Sequence, residues 1–133
     1  MFDKDNLKGV RERSIDFVLA RRALIRAYNR GELSKEEICD AHPELIRAAS
    51  NLGVEKADEC PICKKGKVVN VYYAFGPKLP AHGRCLENRG GEVERYLMSD
   101  LEVKVYEVEV CLSCHFNHLT RILAPFVLEV ESA

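Results

Sequence analysis

The sequence predicts an α+β chain, with N-terminal helices packed on a C-terminal antiparallel β module, and three observations carry that expectation. Apolar residues recur at helical spacing through residues 10–28, alternation with a period of two runs through 69–75 and 101–110, and two Cys-x-x-Cys pairs bracket the β-rich half. The expected division is a region of three helices over 1–56, then a cysteine-pinned module over 57–133 with a long loop at 76–91.

Val10, Phe17 and Leu24, with Val18, Ile25 and Tyr28 beside them and Ser14 at the small position, predict one amphipathic helix over 10–28, ended by Gly31. Arg11, Arg13, Arg22, Arg26 and Arg30 fall on its other faces, and a solvated surface explains them better than an acid-binding stripe. Ser34-Lys35-Glu36-Glu37 carries the reciprocal capping pattern of a short second helix. Pro43 suits the first turn of a third, which runs through Ala49 and closes at Gly53. A helix-turn-helix reading is set aside: the third helix offers only Arg47, Ser50 and Asn51 to base edges and lies in an acidic block. Residues 54–59 are charged and read as a linker.

In the second half, Val69, Val71, Tyr73 and Phe75 predict a strand with one apolar face, broken by Gly76-Pro77. The stretch 76–91 is rich in Gly and Pro and carries Lys78, Arg84 and Arg89, so it reads as a surface loop. Val93, Tyr96 and Leu97 share one side of a short helix within 92–100. The apolar positions of 101–110 shift phase after Val105, which predicts a bulge or a strand covered on both faces. The run 119–130 is β-compatible, with Pro125 marking an edge or a break.

The 133 residues are 47% hydrophobic and 31% charged, an ordinary globular balance, and no apolar run is long enough to span a bilayer. The acidic, polar start Met1-Phe2-Asp3-Lys4-Asp5 has no secretory character, so a cytoplasmic location is expected, where cysteines serve as ligands or free thiols. Net charge is −1 but blocky: Lys and Arg outnumber Asp and Glu eight to four in 1–31 and six to one in 60–91, and are outnumbered eight to three in both 32–59 and 92–133. A chain relying on phosphate neutralisation would carry a basic surplus; protein partners are favoured.

Cys60-Pro61-Ile62-Cys63 and Cys111-Leu112-Ser113-Cys114 each have the spacing that turns two thiolates toward one ion. Together Cys60, Cys63, Cys111 and Cys114 supply the closed donor set of one structural Zn2+, and strand-flanked knuckles describe a zinc-ribbon-like module; iron fits the same spacing. Gly66 is expected to ease the first knuckle's turn through positive φ. Cys111 through His115 also matches the c-type haem attachment pattern, which would leave Cys60 and Cys63 without a role. Cys39, His42, His82 and Cys85 compose a weaker second Cys2His2 set, and His115 and His118 could support a cysteine sulfur or replace one. No serine–histidine–acid order, glycine-rich phosphate loop or paired catalytic carboxylate stands out, so no enzyme is expected.

Arg21-Arg22-Ala23-Leu24, the run Cys39-Asp40-Ala41-His42-Pro43-Glu44-Leu45, the first knuckle, and Val108-Glu109-Val110-Cys111 through Asn117-His118-Leu119 follow one another in an order that resembles a small actinobacterial family of unknown function. The resemblance implies that both cysteine pairs are metal ligands, and that asparagine replaces His42 in relatives, against a second site. The functional expectation is a non-enzymatic module docking on a larger protein assembly, with RNA polymerase or the ribosome as the first partners to consider. The alternative is direct nucleic-acid binding through Lys64, Lys65, Lys67 and residues 78–89, with Tyr72, Tyr73 or Phe75 as stacking surfaces. The remote one is a thiol redox or metal-sensing role for Cys85 or a labile knuckle.

Overall fold

A computed structural model describes residues 10–87, 91–99 and 101–127, with side chains from Ser14 to Pro125. Arg89 of the expected loop and the end of the apolar run at Val130 lie outside the described residues, as do the side chains of Arg11 and Arg13. The chain is α+β: β1 (Val10–Asp16), α1 (Val18–Asn29), α2 (Lys35–Ile38), α3 (Pro43–Leu52), β2 (Val54–Glu59), β3 (Lys67–Phe75), β4 (Arg84–Leu86), α4 (Glu92–Ser99), β5 (Lys104–Cys111) and β6 (Asn117–Val127). One antiparallel sheet runs β1-β6-β5-β3-β2, with β4 on β3 beyond β2.

Three expectations are corrected. The single helix over 10–28 is a strand followed by a helix, because Val10–Asp16 pairs with β6 along its whole length and Phe17 N–H closes the ladder on Thr120 O at 2.9 Å. Tertiary pairing overrides a pattern that fits either period over so few residues. The linker at 54–59 is β2, an edge strand whose Glu55, Asp58 and Glu59 face solvent, as exposed edges commonly do, while Lys56 turns inward. The loop at 76–91 contains β4, anchored by the fully buried Leu86. The line between 56 and 57 therefore falls inside β2, and β1 from the N-terminal part forms the far edge of the sheet.

Local signals elsewhere match. At the end of α1, Gly31 takes φ 78°, while its N–H donates to Tyr28 O and that of Glu32 to Ala27 O, the paired bonds of a Schellman stop. Ser34 and Glu37 form the reciprocal cap of α2, and Pro43 opens α3. Gly53 closes α3 against β3 so tightly that a Cβ would sit 2.6 Å from Val69 Cγ2. In β5 both outcomes of the phase shift occur: buried residues lie on both faces, and pairing with β6 skips Thr120 between Glu107 and Val108. Pro125 lies on β6 past the last residue paired with β5, so its missing N–H disturbs only a local edge.

Three apolar clusters cover the sheet. Ala49 of α3 packs with Val69, Val71 and Val110 on one face. On the other, α4 sets Val93 and Leu97 on Tyr72, Ala74, Leu86, Val103, Val105 and Leu123 at one end. Ile38, Cys60, Ile62, Val68, Cys111 and Phe116 fill the opposite end beneath Leu24, Ile25 and Tyr28 of α1. Among the described residues, no helix is long and apolar enough to cross a membrane.

Candidate metal centre

The two knuckles share one backbone. Lys64 N–H donates to Cys60 O and His115 N–H to Cys111 O, both at 3.0 Å, and the cysteine amides are held by Gly66 O at 2.9 Å and Phe116 O at 2.8 Å. Positive φ falls on the residue after each second cysteine, 57° at Lys64 and 73° at His115. Gly66, expected to supply that conformation, has a different role. A Cβ there would lie 2.6 Å from Ser113 Oγ and 2.9 Å from Cys111 Sγ, so only glycine lets one knuckle close on the other.

β3 leaves the first knuckle and β5 enters the second, and their pairing of Val68 with Cys111 brings the four cysteines together. Their Sγ atoms all lie within 4.8 Å of one another, with Cys60 to Cys114 at 3.6 Å and Cys63 to Cys111 at 3.8 Å. Four sulfurs each about 2.3 Å from a tetrahedral centre stand about 3.8 Å apart, so the donor set fits an ion of that size. Backbone amides already point at the sulfurs: Ile62 N–H at Cys60, Gly66 N–H at Cys63 and Cys114 N–H at Cys111, each 3.4 Å. Burial pushes the Cys60 and Cys114 thiols up to about 12. Burial would raise Cys63 as well, but the amides of Lys65 and Gly66 and the neighbouring sulfurs bring it to about 7. A cation at the centre is what would favour four thiolates in so close a cluster.

The second set does not assemble. Among the described residues the four knuckle cysteines form the one group of ligand atoms close enough to share an ion. Cys39 Sγ instead touches Cys114 Sγ at 3.5 Å. His42 caps α3, its Nδ1 accepting from Glu44 N–H at 3.0 Å. His42, His82 and Cys85 line a hollow of about 920 Å³ beneath α3, beside Tyr73, Phe75 and Tyr106. Burial, then Glu92 and Glu87, raise the Cys85 thiol, and burial raises that of Cys39 as well. His115 is exposed and serves the knuckle through its backbone, while His118 is half-buried and paired across strands with Glu109. Tyr72 is no stacking surface: it is buried and donates to Glu107 Oε2 at 2.8 Å.

Beside the sulfurs, sequence reasoning missed a polar belt. Glu109, fully buried, accepts a two-pronged bond from Arg21 and is approached by Lys56 Nζ at 3.4 Å. Glu107 accepts from Arg121, Thr120 and Tyr72. Burial alone would raise the Glu107 carboxyl, but these donors hold it below its ordinary value. The available signal was two glutamates on one face of an otherwise apolar strand.

A small α+β protein whose strands converge on four cysteine sulfurs is the class defined by this fold and site. The chain belongs to the family of unknown function DUF5318, which it matches over residues 9–131. It is similar to the uncharacterized protein Rv0049 of Mycobacterium tuberculosis (strain H37Rv), with 35% identity over 107 residues that cover 80% of this chain and 77% of that protein. The uncharacterized protein Mb0050 of Mycobacterium bovis is similar to the same extent, 35% over 107 residues. The actinobacterial resemblance drawn from motif order is thus shown. No solved structure matches the chain.

Proposed function

We propose that Cys60, Cys63, Cys111 and Cys114 hold one structural Zn2+ and that the chain is a non-enzymatic, zinc-ribbon-like module of the cytoplasm that docks on a larger protein assembly. The observation that supports the metal is the gathering of four sulfurs within 4.8 Å of one another under amide donors. Four sulfur ligands fill the coordination sphere of zinc and leave no place for water or substrate, which supports a scaffold rather than a catalyst. The docking reading draws on blocks of opposite charge on a rigid, metal-pinned frame and on analogy with other zinc ribbons. RNA polymerase and the ribosome are the assemblies to test first.

Metal analysis of purified chain together with affinity capture from native lysate tests both parts. One zinc per chain with polymerase or ribosomal proteins recovered supports the reading; iron changes the cofactor, and failure to recover either assembly removes that partner class. Direct nucleic-acid binding stays in view because Lys64, Lys65 and Lys67 are exposed around the first knuckle. That reading requires affinity that falls steeply with salt and is lost when the three lysines are neutralised.

A further inference from the structure

A tetrahedral ion needs four sulfurs, and this centre has a fifth at contact distance. Cys39 Sγ lies 3.5 Å from Cys114 Sγ, as close as Cys114 comes to Cys60 at 3.6 Å. The contact is built from several sides. Ile38, 4% exposed, plugs the sulfur cluster, and Cys39 N–H donates to Lys35 O at 2.8 Å at the end of the capped α2. Ala41 N–H then donates to His115 O at 3.1 Å, and Asn117 Nδ2 to Asp40 Oδ1 at 3.0 Å, strapping this segment to the second knuckle. Cys60 and Cys111 are buried, whereas Cys39, Cys63 and Cys114 are partly open to solvent.

We propose that Cys39 and Cys114 are a peroxide-reactive pair, whose oxidation to a disulfide withdraws one ligand from the metal centre. The proposal deepens the zinc reading and rests on it for its consequence, though not for the disulfide itself. Cys39, outside the saturated coordination sphere, is the sulfur free to react first. It attacks the distal oxygen of a hydroperoxide; an S–O bond forms, the O–O bond breaks, and the alkoxide leaves with the thiol proton as an alcohol or, from hydrogen peroxide, as water. The Cys114 thiolate then attacks the sulfenic sulfur of Cys39, forming S–S and expelling hydroxide. The two sulfurs supply both electrons that reduce the peroxide. With Cys114 withdrawn, only Cys60, Cys63 and Cys111 would be left to hold an ion, which three thiolates would bind more weakly than four.

The test treats the reduced, zinc-loaded full chain with hydrogen peroxide, follows released zinc with a chromogenic chelator, and maps disulfides by peptide mass spectrometry. A Cys39–Cys114 link forming in step with zinc release, reversed by dithiothreitol and fresh zinc, supports the proposal. Cys39→Ser and Cys39→Ala should each bind zinc at wild-type stoichiometry and release it about tenfold more slowly under peroxide. Release from these variants at the wild-type rate, or disulfides confined to Cys60–Cys63 and Cys111–Cys114, overturns it. Should the purified chain hold no metal, the zinc reading fails separately. The Cys39–Cys114 link is then mapped in that chain, its presence supporting the pair and its absence overturning it.

Discussion

Arg21 of α1 lays its guanidinium on the carboxylate of Glu109 in β5, Nε to Oε1 at 2.7 Å and Nη2 to Oε2 at 3.0 Å. The glutamate side chain is 0% exposed and the arginine 29%, so the pair is asymmetric: one charge depends wholly on its partner, the other still reaches water. No residue of α1 is fully buried, and the helix is held by this fork together with Leu24, Ile25 and Tyr28 over the sulfur cluster. The Glu109 bond raises the guanidinium's affinity for its proton, as expected for a cation held against a fixed anion.

That asymmetry orders two substitutions. Arg21→Ala leaves a buried carboxylate with only Lys56 Nζ at 3.4 Å, and should cost about 2–4 kcal/mol, somewhat under the loss for a fully buried pair. Glu109→Gln removes the charge, keeps the shape and frees an arginine that can turn to solvent, so about 1–2 kcal/mol is expected. Urea denaturation of both variants measures the difference. Equal losses would mean that α1 is not docked through this pair.

Removing the metal should abolish cooperative folding. Structural zinc supplies about 10–16 kcal/mol of apparent binding energy in small domains, comparable to the whole stability of a chain this size. The sulfur cluster is also the floor on which α1 and α2 rest, since Ile38, Leu24, Ile25 and Tyr28 pack against the cysteines. Cys60→Ser, or dialysis against a strong chelator, should erase the calorimetric unfolding peak and expose α1 to protease. A metal-free chain that melts like the untreated one would reduce the centre to an ornament of a fold held by its apolar clusters.

Gly66 and Gly31 separate two reasons for a glycine. At Gly66 an added methyl meets Ser113 and Cys111 Sγ, so Gly66→Ala should pry the knuckles apart and weaken metal binding about tenfold or more. Gly31 has φ 78° and no atom within 4 Å of the place a methyl would take, so Gly31→Ala should cost only about 1 kcal/mol of backbone strain and leave metal affinity unchanged. Competition with a chelator of known affinity distinguishes the two. Pairing Gly66→Ala with Ser113→Gly should recover part of the loss.

The parts legible in the sequence were those governed by neighbours along the chain. The Ser34–Glu37 cap, the Pro43 start, the Gly31 stop and the helix with Val93 and Leu97 inward each depend on a few adjacent residues. The convergence of the cysteines was legible because Cys-x-x-Cys carries its turn with it. What failed depended on distant partners. Val10–Asp16 is a strand only because β6 lies beside it, β2 is charged because it is an edge, and nothing near Cys39 in sequence announces Cys114. Nor does anything near Glu109 in sequence announce Arg21, which reaches it from α1.

Acid should weaken the fold in two windows, both with the same sign. Burial lowers the His118 imidazole below its usual 6.5, with Glu109 opposing the shift and Arg21 adding to it. A lowered folded value means that the unfolded chain binds the proton more readily, so this stabilisation is complete above about pH 6.5 and is lost as pH falls through the folded value. Glu107, held below 4.5 by Arg121, Thr120 and Tyr72 against the opposing effect of burial, adds a contribution complete above about pH 4.5 and lost below it. Acid would also strip an ion bound by cysteine thiolates, so the histidine is isolated by comparison. Urea denaturation at pH 7.5 and 5.5 should show a smaller loss for His118→Gln than for the unaltered chain, and an NMR titration should place the His118 ring below 6.5. An identical loss in the two chains, or a ring that titrates above 6.5, would show that His118 is solvated and that the belt around Glu109 is open to water.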